Sequence, residues 1–120
     1  MSGIFYLTVR KNFYKILSVI RLRVECDIGE YKFEWDSEKD KINKQKHGIS
    51  FKLAARVFLD ENYCDDYDEL HSDFEDRIKI VGRVGKVLTV IYTERGDRNR
   101  IISARQATKG EEEKYYGQFY

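Results

Sequence analysis

The sequence predicts an α+β domain built on a mostly meandering antiparallel sheet of about four strands, with two helices before it and one after. Three observations carry this. Val87, Leu88, Val90, Ile91 and Tyr92 form a β-branched, aromatic run that is apolar on both faces, as a strand in the middle of a covered sheet must be. The apolar pattern resumes at Ile101, Ile102 and Ala104 after Arg95-Gly96-Asp97-Arg98, where Gly96 supplies the positive φ of a tight connection, so the two runs read as a hairpin. Capped segments of helical spacing lie upstream and downstream of these strands.

Residues 1–31 fit more than one pattern. Phe13, Leu17, Ile20 and Val24 make a helical stripe, whereas Ile20, Leu22 and Val24 alternate with arginine as a strand does. An edge strand, an amphipathic helix and a disordered extension all stay open. The longest apolar runs there are too short for a signal-peptide core or a membrane span. We therefore expect an N-terminal extension over 1–31 and a folded domain over 32–120.

Phe33-Glu34-Trp35 reads as a short first strand. Asp36 or Ser37 can cap the helix that follows; Glu38 and Asp40 favour its positive end, and the polar run through Lys46 closes at Gly48. Ser50 caps a second helix whose Phe51, Ala54, Ala55 and Phe58 follow the spacing of a buried face. Tyr63 and Cys64 suggest a weak strand, and 70–75 a loop. Residues 77–84 alternate, with Ile78, Ile80 and Val84 on one side and Arg77, Lys79 and Arg83 on the other, before Gly85-Lys86 turns the chain into the central strand. Thr108 and Glu111 have the spacing of a capping box, opening a helix with Tyr115, Tyr116 and Phe119 on its aromatic face.

At 120 residues and 42% apolar, the chain has the size of one domain. Cys26 and Cys64 lack the spacing of a redox or zinc motif, which fits free thiols in a reducing cytoplasm. The net charge of +1 hides a division: 60–76 carries nine acidic residues and no Lys or Arg, while 77–109 carries nine basic residues against Glu94 and Asp97. The sheet half is thus suited to attract a polyanion, unless the two halves neutralise each other in the fold. Arg95, Arg98, Arg100 and Arg105 put four guanidinium groups on one hairpin, which suits bidentate recognition of phosphate. Two distant histidines and an acidic run without an EF-hand pattern offer no metal spacing; serine-nucleophile motifs and glycine-rich phosphate loops are absent as well, so no cofactor is implied.

Three blocks in order, FEWDSEKDKINKQKHGISFKLAARVF, DRIKIVGRV and VIYTERGDRNRIISARQAT, resemble the BrnT toxins, small ribonucleases of bacterial type II toxin-antitoxin systems. Lys46-His47-Gly48, Thr93-Glu94-Arg95-Gly96 and Ile101-Ile102-Ser103-Ala104-Arg105 all coincide, and the resemblance runs over 33–116. It implies a RelE-like fold and cleavage of RNA that inhibits translation. It also implies neutralisation by a BrnA-like ribbon-helix-helix antitoxin, with operator DNA contacted only through the antitoxin complex. Members of the family typically start just before the FEWD-like block, so residues 1–32 read either as an addition or as the product of an upstream start codon read as the true one.

A metal-independent ribonuclease must activate a ribose 2′-hydroxyl, stabilise a five-coordinate phosphorus and protonate the departing 5′ oxygen. Arg77 and Arg105, on nearby strands, are the candidates for holding the phosphate, with Arg95, Arg98 and Arg100 following the flanking backbone. For proton transfer the first candidate is His47, histidine being the side chain that changes charge near neutral pH; Lys46 beside it can steer phosphate, and Glu94 and Tyr92 come next. Each has a plainer role available. His47 can cap helix carbonyls, Glu94 and Arg95 can pair across the hairpin, and Tyr92 can be core. Two other classes compete with the enzyme: a non-catalytic nucleic-acid-binding module and a protein-interaction domain whose basic sheet receives an acidic partner.

Overall fold

The computed structural model describes residues 21–68 and 75–120. The stripe from Phe13 to Ile20 lies outside these residues, as does the loop expected at 70–75 except for Glu75. Among the described residues, six strands form one sheet: β1 (Arg23–Ile28), β2 (Tyr31–Asp36), β3 (Cys64–Tyr67), β4 (Ile78–Val84), β5 (Lys86–Arg95) and β6 (Arg98–Gln106), in the order β1-β2-β6-β5-β4-β3. Helix α1 (Ser37–His47) and helix α2 (Phe51–Ala55), which continues as a 3-10 turn over Arg56–Leu59, connect β2 to β3, and α3 (Lys109–Gly117) follows β6.

The sheet departs from the sequence expectation in two ways. The sheet has six strands rather than about four, because β1 pairs with β2 along its whole length and β3 pairs with β4 from Cys64↔Val81 to Tyr67↔Ile78. The sheet is also mixed: β2 joins β6 in parallel through Phe33↔Asn99 and Glu34↔Arg100. Helical crossovers permit such pairing, since the chain leaves β2 through α1 and α2 and returns to β6 only after three more strands. Of the readings open for the N-terminal stretch, the edge strand is realised at β1, with Gly29 at φ 59° in the turn to β2. The opposite edge, β3, exposes Asp65 and Asp66, charges that discourage pairing with another chain.

Local signals account for the helices. The Asp36 carboxylate accepts from the Glu38 amide, Gly48 adopts φ 72° at the end of α1, Ser50 caps α2, and Thr108 with Glu111 completes a capping box on α3. On one face of the sheet, Phe33, Trp35, Ile80, Val90, Ile101 and Ala104 pack against Phe51, Ala54, Val57 and Phe58. There the 3-10 turn lies so close to β4 that a Cβ on Gly82 would meet Val57 Cγ1 at 2.6 Å. The other face carries a small cluster of Val81, Val87 and Tyr115 beneath α3.

A register shift shapes β6. Ile91 pairs with Ser103 while Tyr92 pairs with Ile101, so Ile102 is the extra residue of a bulge. Ile101 and Ala104 therefore both face the core, and Arg100, Ser103 and Arg105 stand on the opposite face. Beyond Arg100, β2 no longer accompanies β6. Asn43 of α1 takes its place: Nδ2 donates to the carbonyls of Ala104 (2.8 Å) and Ile49 (2.9 Å), and Oδ1 accepts from the Ala104 amide (3.1 Å).

Candidate functional site

Strand alternation sends Lys79 of β4, Thr89 and Thr93 of β5, and Arg100 and Arg105 of β6 to the sheet face that α3 only partly covers. Arg77 precedes β4 and Arg95 ends β5, so basic side chains from three neighbouring strands share this face. Carboxylates organise them into two groups.

At the α3 end, Arg105 makes a two-pronged contact with Glu111, Nη1 to Oε1 at 2.6 Å and Nη2 to Oε2 at 3.1 Å. Lys79 Nζ lies 3.2 Å from Oε2, the Thr89 hydroxyl donates to Oε1 at 3.0 Å, and the Thr108 amide donates to Oε1 at 2.9 Å. Burial opposes ionisation of Glu111, but the hydrogen bonds from Arg105, Thr108 and Thr89 outweigh it and hold the carboxyl far below the usual range. Arg105 is in turn held more firmly protonated by its bond to Glu111. At the other end, Arg95 grips Glu75 through Nε at 3.1 Å and Nη2 at 3.0 Å. That bond lowers the Glu75 carboxyl, with the charges of Arg95, Arg77 and Arg100 adding to the effect.

The residues singled out in the sequence thus divide. Arg77, Arg95, Arg100 and Arg105 share the partly open face. Arg98 turns towards the sheet edge instead, donating to Asp27 (2.8 Å) and the Phe33 carbonyl (3.0 Å) and lying 3.2 Å from Glu25. Arg100 is close to Glu34, at 3.5 Å. Tyr92 is buried in the core, its ring edge-on to Phe58 at 4.9 Å, and burial pushes its phenol up to about 12. Glu94 is exposed beside a shallow cavity of about 260 Å³ that Tyr67, Glu75, Asp76 and Thr93 also line. His47 and Lys46 are exposed on the last turn of α1, which borders β6 at the edge that β2 leaves open, through Asn43; among the described residues neither side chain makes a hydrogen bond or ion pair.

Sequence reasoning missed Glu111, Thr89 and Glu75, and it left Lys79 as one more basic residue on the outer side of β4. A signal for Thr89 existed, a hydroxyl interrupting an apolar central strand. Glu111 was already accounted for by its capping role, which concealed its second one. Among the described residues, no group of His, Cys, Asp and Glu side chains has the arrangement of a metal site.

Residues 35–111 match the family model described as "Ribonuclease toxin, BrnT, of type II toxin-antitoxin system". Among solved structures, the chain is similar to the Brucella abortus ribonuclease toxin BrnT, with 25% identity over 62% of this chain and 94% of that one and a TM-score of 0.48. No curated protein sequence matches it.

Proposed function

The chain belongs to the BrnT family of ribonuclease toxins of type II toxin-antitoxin systems, and from that membership we propose that it is itself a metal-independent endoribonuclease that cleaves RNA and thereby inhibits translation. The observation that supports this most is the gathering of Arg77, Lys79, Arg95, Arg100 and Arg105 on one partly open sheet face. Such a surface binds a phosphodiester backbone by charge and by guanidinium forks, without reading bases. In this reading Arg105 and Arg77 stabilise the charge that builds on the phosphorus, while Arg95 and Arg100 hold flanking phosphates. Proton transfer is assigned by residue chemistry to His47, with Lys46 steering phosphate beside it and Glu94 as the other base. Its place of action is the cytoplasm, and its partner a neutralising ribbon-helix-helix antitoxin of the BrnA kind, with operator DNA contacted only through the antitoxin complex.

Induced expression of the wild type beside Arg105→Ala and His47→Ala, with growth and total RNA followed and circular dichroism of each purified protein, tests the proposal. Growth arrest with RNA loss in the wild type, absent in an equally folded Arg105→Ala variant, is the expected outcome. A folded and harmless wild type would defeat it. RNA binding without cleavage would leave a non-catalytic nucleic-acid-binding module.

A further inference from the structure

Capping α3 needs only one oxygen of Glu111, since the Thr108 amide is satisfied by Oε1. Oε2 is given over to Arg105 Nη2 and Lys79 Nζ, and Oε1 also receives Arg105 Nη1 and the Thr89 hydroxyl. Take the carboxylate away, and two cations from strands on either side of β5, with a buried hydroxyl between them, point at one place. Guanidinium fork, ammonium and hydroxyl are the donors that hold a phosphate oxyanion. Both cations are accessible from solvent, the Lys79 side chain 35% and the Arg105 side chain 38% exposed, whereas the Glu111 side chain is 12% exposed. Apart from Glu111, helix α3 is fastened at its far end, where Tyr115 packs on Val81 and Val87 and bonds Asp60, and Gln118 just beyond α3 donates to the Asn62 carbonyl.

We infer that Lys79, Thr89 and Arg105 form a phosphate subsite whose resident anion is the Glu111 carboxylate, and that a phosphate of bound RNA takes the carboxylate's place. The inference rests on the reading of this face as the RNA-binding one and deepens it. Lys79 becomes the second cation beside Arg105, and Glu111 sets how much binding an RNA strand must supply before Arg105 is released to it. Exchange of one monoanion for another leaves the charge balance around the two cations unchanged, so neither is stranded without a counter-charge.

The test uses a short fluorescein-labelled single-stranded DNA, which carries phosphates but has no 2′-hydroxyl to be activated. Anisotropy titrations over a range of salt compare the wild type with Glu111→Gln, Glu112→Gln and Lys79→Ala. Glutamine preserves the capping box, so α3 is kept. Glu112 is exposed on the same helix, and its substitution controls for net charge alone. Glu111→Gln should bind about tenfold more tightly, the strength of roughly one charge-assisted contact no longer in competition, and Glu112→Gln much less so. The slope of log affinity against log salt should steepen by about 1.4 for the two cations released, and Lys79→Ala in the Glu111→Gln background should remove about half of that. Unchanged or weaker binding by Glu111→Gln, or equal gains from both glutamines, would overturn the inference and leave Glu111 a residue that merely positions Arg105. Should Glu111→Gln fail to fold, amide NMR of the wild type titrated with inorganic pyrophosphate decides: shifts centred on Thr89, Arg105 and Glu111 support the subsite, and shifts confined to other residues overturn it. Because the probe is not cleaved, these results stand apart from the ribonuclease assay. A steepened slope without RNA cleavage defeats the enzyme reading alone, and cleavage with an unaltered slope defeats the subsite alone.

Discussion

Replacing Asn43 with alanine examines whether one side chain stands in for a missing length of strand. In the native fold Asn43 satisfies the amide and carbonyl of Ala104 and the carbonyl of Ile49, in surroundings where Ala104 is 0% and Ile49 7% exposed. Alanine removes all of these bonds and leaves the backbone groups buried without partners. At about 1 kcal/mol of net stability for each bond, with the desolvation cost of the abandoned groups on top, the loss should be about 3–5 kcal/mol. That is a large part of the roughly 5–15 kcal/mol that holds a domain together. At roughly 4 °C per kcal/mol for a chain of this size, Tm should fall by about 12 °C or more. Urea unfolding followed by fluorescence of Trp35, the only tryptophan and itself core-buried, measures the change directly. Asn43→Asp adds a test of direction. It keeps the acceptor for the Ala104 amide but sets a carboxylate oxygen against two carbonyls, so its deficit should match or exceed that of alanine at neutral pH. The deficit should shrink as the pH falls, because the protonated carboxyl can donate to one carbonyl. A loss below about 1 kcal/mol for alanine, with an unchanged m-value, would refute the idea that α1 completes the ladder of β6.

Other outcomes follow from the same geometry. Gly82→Ala should cost about 1–3 kcal/mol by forcing the 3-10 turn off β4, and adding Val57→Ala should recover part of it, seen as non-additivity in a double-mutant cycle. Glu111 has a folded-state value depressed below its ordinary 4.5, so its stabilisation is complete above that pH and is lost progressively as the pH drops further; Glu111→Gln should lack this acid-sensitive component in Tm measured against pH. Asp27→Asn together with Glu25→Gln should free Arg98, lowering Tm at low salt, with the difference from wild type fading at high salt. Equal differences at both salt concentrations would mean that β1 is held by packing rather than by this cluster.

What could be read from the sequence follows the range of the interaction. Asp36, Ser50, Thr108 and the glycines at 48 and 96 act on residues a few positions away, and each element they delimit is present as expected. The meander of β4, β5 and β6 was legible for the same reason. β1 alternates without fault from Arg23 to Ile28, yet Phe13, Leu17, Ile20 and Val24 offered a helix running into its start, and only the pairing with β2 decides at Val24. The parallel contact of β2 with β6 has no local signature. Among the functional candidates, the arginines were visible as a cluster because composition shows them. Their sorting was not: Arg98 is claimed by acids of β1, Arg95 by Glu75 and Arg105 by Glu111, partners that only the folded sheet brings within reach.

The two-residue seam between β2 and β6 also orders events in time. Its residues are further apart along the chain than those of any other ladder in the sheet, whereas β1–β2, β4–β5 and β5–β6 are each closed by turns of at most two residues. Short loops close early and distant ones late, so the chain should first assemble a C-terminal meander and an N-terminal hairpin as separate pieces. Their joining at Phe33↔Asn99 and Glu34↔Arg100 is then the late step, and the first to reverse when the native protein breathes.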